Sequence, residues 1–333
     1  MSKTISISDH LGHRSYRGVT PPVSVIILTL NEEANIAECL KSCAWSDDVH
    51  VIDSGSTDRT VEIALKYGAT VHHHPFASFG TQRNWAVDNA LCKHEWSFHL
   101  DADERFTAPL VDEMLHVLGP DGTASEMAAY FVQGRMMFFD QCVRRSAGYP
   151  AYQVRLIRRG RCRFIDYGHG QREDTAGPVG KLTQTYMHFP FNRGIAAWFE
   201  KHNRYSDLEA ERAKHAPAGA MHGLFSQDPL QRRRALKELS THLPGRSLLR
   251  FVYQYVVNGG FTEGRAGLTY CLLMSMYESW IDIKTREPAP ALSAAISHAV
   301  DAARTQRAGE PKTFPEAAVA FREYRTRMRA ISI

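Results

Sequence analysis

Residues 96–106 read WSFHLDADERF. An apolar stretch, Trp96 to Leu100, runs straight into two acidic residues spaced one apart, Asp101 and Asp103, with Glu104 and Arg105 next. Such a run reads as a buried strand, with the carboxylates at its end. Two physical readings fit. One aspartate caps a following helix and the other is solvated. Alternatively the pair holds a divalent cation against a diphosphate. Mg²⁺ and Mn²⁺ prefer hard oxygen ligands and bind through one or two carboxylates plus substrate phosphates.

Upstream, VSVIIL (23–28) is β-branched and continuous, so it reads as a fully buried strand. Ile36, Cys39, Leu40 and Cys43 then recur at helical spacing. VHVID (49–53) is a second strand. A turn and a helix follow, capped near Asp58 and stopped at Gly68. TVHHH (70–74) is a short strand, and TQRNWAVDNALC (81–92) a third helix before the 96–100 strand. Strands alternating with helices predict βαβ units and a parallel sheet. In such a sheet the ligand crevice lies outside the carboxyl ends of the strands. Asn31, Glu32, Asp53, Asp101 and Asp103 all fall there.

From about residue 129 the character changes. AAYFVQGRMMFF reads as a strand, YQVRLIRRGRCRF as a hairpin turning at Gly160, and GHGQREDTAGPVGKL as loop. Beyond His188 the pattern is helical to the end. Pro21 and Pro22 end an irregular N-terminal arm (1–21) without the apolar core of a secretory signal. The 333 residues allow one large domain or two modest ones. The net charge of +4 is too weak to imply nucleic acid. Six cysteines without a C-x-x-C pair read as reduced thiols in a reducing compartment. No run is long and apolar enough to span a membrane.

No G-x-G-x-x-G follows the first strand, which disfavours a dinucleotide-dependent oxidoreductase, and no G-x-x-x-x-G-K-[ST] is present. Phosphate is then left to metal and arginine. Asp58 reads as a helix cap. Asp53 reads as functional, because an uncapped carboxylate at a strand end needs a partner.

Taken together, VSVIILTLNEEANIAECLKSC, VHVIDSGSTDRTVEIALKYGA, FGTQRNWAVDNA and WSFHLDADE resemble a family 2 glycosyltransferase, close to those building lipopolysaccharide core or exopolysaccharide. The likeness is specific over residues 22–108 and looser to about 285. It implies an α/β GT-A fold: a Rossmann-like, mixed, mostly parallel sheet with helices on both faces. The catalytic domain would span 22–190, with a donor half (22–108) and an acceptor half (129–190). A helical region (191–333) would follow. By position, Thr29, Asn31, Glu32, Asp53, Gln82, Arg83 and Asp101 match donor-nucleotide contacts. Asp101 and Asp103 match the metal motif for Mg²⁺ or Mn²⁺. The implied donor is a nucleotide diphosphate-sugar, UDP-sugar favoured, and the acceptor a glycan, commonly lipid-linked. The implied location is cytoplasmic, peripheral at the inner face of the membrane.

An inverting enzyme needs a base for the acceptor hydroxyl. Glu173 and Asp174 are the candidates, with Glu173 first and His169 beside them. Related enzymes often carry a shorter His–Glu pair, so the assignment stays open. His72, His73 and His74 alternate across a strand and cannot converge on one ion. Arg155, Arg158, Arg159, Arg161 and Arg163 form a basic stretch that suits either phosphate contact or a solvated face. Arg232, Arg233, Arg234, Lys237, Arg246 and Arg250 lie beside Leu248, Phe251, Val252, Tyr255 and Val256. That mix fits a helix in a membrane interface, or one packed on the catalytic domain. A nucleotidyltransferase would want a glycine-rich basic loop after the first strand, where TLNEEANI is acidic. A noncatalytic nucleotide-sugar sensor would not need the acidic pair and a nearby base.

Overall fold

The computed structural model describes residues 19–167, 170–214 and 245–287. Most of the N-terminal arm, His169, Arg232, Arg233, Arg234 and Lys237 lie outside them.

Strand β1 (Val23–Thr29) is buried throughout because it sits between two parallel neighbours, β2 (Val49–Asp53) and β4 (Trp96–Asp101). Its side chains alternate between two cores. Val23, Val25 and Ile27 pack with Ile36 and Leu40 of α1 (Ile36–Ser42) and Ala64 of α2 (Thr60–Lys66). Leu110 and Met114 of α4 (Ala108–Leu118) join that layer. Ile26 and Leu28 face Ala86 of α3 (Phe79–Asn89) on the other side. The continuous apolar run of β1 therefore records burial on both faces.

The remaining strands are β3 (Thr70–His73), β5 (Glu104–Arg105), β6 (Ala129–Phe138), β7 (Gln141–Cys142), β8 (Tyr152–Arg158), β9 (Cys162–Tyr167), β10 (Gly170–Thr175) and β11 (Val179–His188). The main sheet runs β3-β2-β1-β4-β8-β6-β11-β5, with β7 beside β6. β1 to β4 are mutually parallel, β8 is antiparallel to β4 and β6, and β11 is parallel to β6. This is the GT-A architecture, a mixed sheet with helices on both faces.

Two expectations change. The 152–164 stretch is not a hairpin: β8 joins the main sheet, whereas β9 pairs with β10 as a separate ribbon. Gly160, at φ +80°, makes the turn, but the strands it joins diverge. The 168–182 stretch is also more than loop, since β10 and the start of β11 fall within it. Its polar residues hid strands whose partners are distant or two-sided.

Beyond β11 the described residues are helical: α5 (Gly194–Lys214), α6 (Arg246–Val252) continuing into a π-helical turn (Tyr253–Val257), and α7 (Gly264–Arg286). Trp198, Tyr270, Leu273, Tyr277 and Ile281 pack with Phe138, Val143 and Phe191. Glu263 fastens the loop after β7 by accepting from the amides of Arg144, Arg145 and Ser146 and from Ser146 Oγ. The described residues through Thr285 form one compact unit. All six cysteines are free thiols.

Between β6 and β11, Gly134 lies opposite Tyr186 and Gly180 opposite Tyr130. A Cβ on Gly134 would stand 2.7 Å from the Tyr186 ring. The ring fills the space a side chain would take, and it supports Arg155, whose guanidinium lies 5.3 Å from the ring centroid. Gly134→Val should therefore cost about 1–3 kcal/mol by overpacking. The check is the urea midpoint at unchanged slope.

Candidate active site

The acidic pair ends β4, but neither aspartate caps a helix. α4 begins at Ala108 with Thr107 as its cap residue, and Thr107 Oγ1 donates to the Thr185 carbonyl instead. Helix capping is thereby removed as the explanation of the pair. The chain turns at Ala102 and Asp103, and β5 returns antiparallel to the end of β11. His188 pairs with Glu104, and the Phe189 amide donates to the Asp103 carbonyl at 2.8 Å. This brings His188 Nε2 to 3.5 Å from Asp103 Oδ2, with Lys201 Nζ from α5 at 4.0 Å.

The two aspartates have different surroundings. Asp101 is clamped: Arg83 Nη2 donates to Oδ1 at 2.7 Å and Arg155 Nη2 to Oδ2 at 3.1 Å. Arg155 also donates to Glu104 Oε1 at 2.6 Å, and Glu104 Oε2 accepts from the Asp101 amide. Arg83 and Arg155 are 2% and 3% exposed, and Glu104 is fully buried. Burial pushes Asp101 up, but Arg155 and Arg83 outweigh it and hold the carboxyl far below its usual range. Burial likewise opposes Asp103, where His188 and Lys201 win and bring it to about 2. Glu104 goes the other way, to about 7, because burial and the two aspartates exceed its share of Arg155. Glu32 is raised too, by burial and by Asp103 nearby.

The donor-side residues divide between ligand-facing and scaffold roles. Thr29 ends β1 with its Oγ1 buried and without a partner. Asn31, at φ +53°, uses its Oδ1 to accept from the Thr57 amide. Glu32 accepts from Asn35 Nδ2 and pairs with Arg193. Asn35 Oδ1 in turn receives Asn192 and Arg105. Asp53 is not uncapped, as the sequence reading had it. Its own loop folds back, and it accepts from the amides of Gly55 and Ser56 and from Ser56 Oγ. Asp58, expected as the cap, lies one residue before the cap residue of α2, Arg59, and accepts from the Thr60 amide and hydroxyl. Gln82 is buried and braces the scaffold, donating to Ser54 Oγ and the His74 carbonyl. Arg83 keeps one buried guanidinium nitrogen, Nη1, without a partner beside Asp101.

The ribbon brings only part of its polar set close. Gln171 Oε1 accepts from Arg83 Nε at 3.0 Å. Glu173 lies opposite Phe164, so it shares Gln171's side of the ribbon, one strand repeat further along. Asp174 is exposed and faces away with Arg163. Both carboxylates act on Cys162, whose thiol is pushed up to about 12, mainly by burial. The histidine run alternates as expected: His74 stacks on Trp85, while His73 approaches Asp53.

Of the five arginines in the basic stretch, Arg155 alone reaches the acidic pair. Arg158 pairs with Glu95, Arg159 donates to the carbonyls of His94 and Cys92, and Arg163 pairs with Asp88. These three hold strand ends and the ribbon together. Sequence reasoning missed Glu104, His188, Lys201 and the special place of Arg155. Glu104 had a signal in its position beside the pair. His188 had none, because only the pairing of β5 with β11 delivers it.

One buried guanidinium serving fully buried Glu104 and partly buried Asp101 makes a sharp prediction. Removing one partner of a buried ion pair costs about 3–5 kcal/mol, because the charge left behind is unpaired. Arg155→Ala should lose that much in chemical denaturation, and Arg158→Ala, on an exposed pair, should lose under about 1 kcal/mol.

Residues 24–173 match the sequence profile of Glycosyl transferase family 2. The chain is similar to the lipopolysaccharide core biosynthesis glycosyltransferase LpsC of Rhizobium meliloti. That match is 29% identical over 203 residues, 57% of this chain and 71% of LpsC. An uncharacterised glycosyltransferase of Rickettsia conorii is 36% identical over 171 residues, 51% of this chain and 49% of its own length. The chain thus spans about half of that relative. Among solved structures, glucosyl-3-phosphoglycerate synthase of Mycobacterium tuberculosis is 25% identical, with a TM-score of 0.29, over 35% of this chain and 44% of its own. Residues 24–173, whose motifs carry the site just described, are those of a family 2 glycosyltransferase.

Proposed function

We propose that the chain is an inverting glycosyltransferase that moves one sugar from a nucleotide diphosphate-sugar to a hydroxyl of a growing glycan. The setting would be lipopolysaccharide or other cell-envelope polysaccharide synthesis, as the similarity to LpsC suggests. UDP-sugar is the favoured donor. The observation that carries the reading is the division of labour within the acidic pair. Asp101 is locked between two buried arginines, while Asp103 stands beside His188 at 3.5 Å.

That geometry suits a divalent cation. Two ligands on one ion with bonds of about 2.1 Å sit roughly 3 Å apart, close to the Asp103–His188 spacing. Asp103 and His188 would hold the ion, and a donor diphosphate would complete its shell. An imidazole beside a carboxylate fits Mn²⁺ better than Mg²⁺. When bound, the ion offsets the charge that builds on the departing nucleoside diphosphate. Asp101 then acts chiefly by fixing the two arginines. The spare Nη1 of Arg83 is a buried cationic donor on the guanidinium that holds Asp101, which supports its part in holding phosphate. Thr29, Asn31, Glu32 and Asp53 shape the nucleoside side, Asp53 by setting the loop that carries the Gly55 and Ser56 amides. Glu173 is the proposed base, on the ribbon face that reaches Arg83 through Gln171. Asp174 ranks below it because it is exposed on the opposite face.

Two measurements test the site. In a thermal-shift series with UDP-, GDP-, TDP- and CMP-sugars, Mn²⁺ should raise the melting temperature with one nucleotide class, since ligands that bind only the native state stabilise it. Asp103→Ala and His188→Ala should each abolish that shift. Glu173→Gln should keep the shift and slow transfer by about 100- to 10,000-fold. Normal turnover by Glu173→Gln removes it as the base.

A peripheral place at the inner face of the membrane, with a lipid-linked acceptor, belongs to the same proposal. Among the described residues no helix is long and apolar enough to cross a membrane. α6 buries none of its residues, and Leu248, Leu249, Val252, Tyr253, Val256, Val257 and Phe261 are exposed along it and the turns that follow. Arg246 and Arg250 share one carboxylate, Glu278 of α7, so together they add only one net positive charge. Apolar insertion, more than headgroup charge, would then drive binding. Val252→Glu combined with Val256→Glu should reduce co-sedimentation with phosphatidylethanolamine–phosphatidylglycerol vesicles at least tenfold. The melting temperature should hold, since both side chains are exposed.

A further inference from the structure

At the opposite end of the sheet from Asp103, three metal-ligating side chains converge. Asp48 precedes β2, His50 lies on it, and Cys92 precedes β4. All three are buried, and their candidate ligand atoms lie within 4.8 Å of one another. Ser24, at the start of β1, adjoins them through Asp48. From Ser24 to Thr29, five residues of strand separate this cluster from the acidic pair's edge by roughly 16 Å. The two groups are therefore independent.

His50 supplies the observation that points to a ligand. It is 4% exposed, and its Nε2 has no hydrogen-bond partner. Yet Asp48 Oδ1 stands only 3.0 Å from that nitrogen. A ring N–H donates along the ring plane, so the oxygen sits beside the nitrogen rather than in front of it. An imidazole nitrogen and a carboxylate oxygen so placed can share a cation. On tetrahedral zinc, with bonds of about 2.0–2.3 Å, ligand atoms lie roughly 3.3–3.8 Å apart, a spacing that small shifts of this cluster reach.

The surrounding bonds are those of ligands held from behind. The other ring nitrogen of His50, Nδ1, is 3.1 Å from His72 Nε2. The far oxygen of Asp48, Oδ2, accepts from Ser24 Oγ at 2.6 Å and from the Lys93 amide at 2.7 Å. Metal-bound histidines and carboxylates are oriented by such outer hydrogen bonds.

We propose that Asp48, His50 and Cys92 form a zinc site that pins the segment entering β4 to the start of β2, across β1. Sulfur with imidazole selects zinc over Mg²⁺ and Mn²⁺. A fourth position is left for water.

The test uses the full-length chain, stripped with chelator and titrated with Co²⁺, whose thiolate complexes absorb in the near ultraviolet. The expected result is a sulfur-to-cobalt band that saturates at one ion per chain and is displaced by Zn²⁺. It should survive in Cys162→Ser and in Asp103→Ala and vanish in Cys92→Ser. No band in the unmutated chain, or a band that persists in Cys92→Ser, overturns the proposal. Because Cys92→Ser can lose its fold, a second measurement stands apart from it. On the Asp103→Ala chain, which lacks the other site, Zn²⁺ should raise the melting temperature and Mg²⁺ at equal concentration should not. Equal responses to the two ions also overturn it.

Discussion

The guanidinium of Arg155 is the point on which the site depends. It reaches from β8 to Asp101 at the end of β4 and to Glu104 of β5, and Tyr186 of β11 lies beside it. Three stretches that are far apart in sequence, β4 with β5, β8 and β11, thus meet through one cation. The group is almost wholly buried, where charges are tolerated only when paired and hydrogen-bonded. Two carboxylates sharing one cation cannot both be ionised at ease. The strain falls on Glu104, raised to about 7, while Asp101 keeps its charge.

Charge balance then explains why the acidic pair is asymmetric. Arg83 joins Arg155 on Asp101, so both of that residue's oxygens are occupied from within the protein. Asp103 escapes this because the chain turns between them and β5 leads away. It meets His188 and Lys201 instead, at longer range. A one-residue spacing on a strand end is enough to give one carboxylate two close arginines and leave the next with looser partners. Glu32, raised by the same cluster, marks how much negative charge gathers on this rim. A cation entering there would relieve repulsion that the protein has left in place.

The helical region is built around a different constraint. Its aromatic residues seal the far end of β6, and Glu263 ties the loop after β7 down by four hydrogen bonds. Lys201 of α5 carries that packing into the acidic site. α6 contributes nothing to the core and exposes its apolar side chains. An element that keeps its order while burying so little has its apolar face available to another phase or partner.

Much of the donor half was legible in the sequence. The runs at 23–28, 49–53 and 96–100 and the helical periodicity between them fixed a parallel sheet, because hydrophobic period and burial are local properties of the chain. The same order placed Asp53, Asp101 and Asp103 at one sheet edge. What sequence left open, or read wrongly, rests on contacts between distant segments. Whether the pair caps a helix was settled by the start of α4 at Ala108. Asp53 looked unpartnered because the fold-back of its own loop is a matter of backbone angles, Gly55 sitting at φ +95°. The 152–164 stretch looked like a hairpin because turn residues are local while strand pairing is not. His188, Glu104 and Arg155 became a site only when β11, β5 and β8 came together, and no spacing along the chain encodes that meeting.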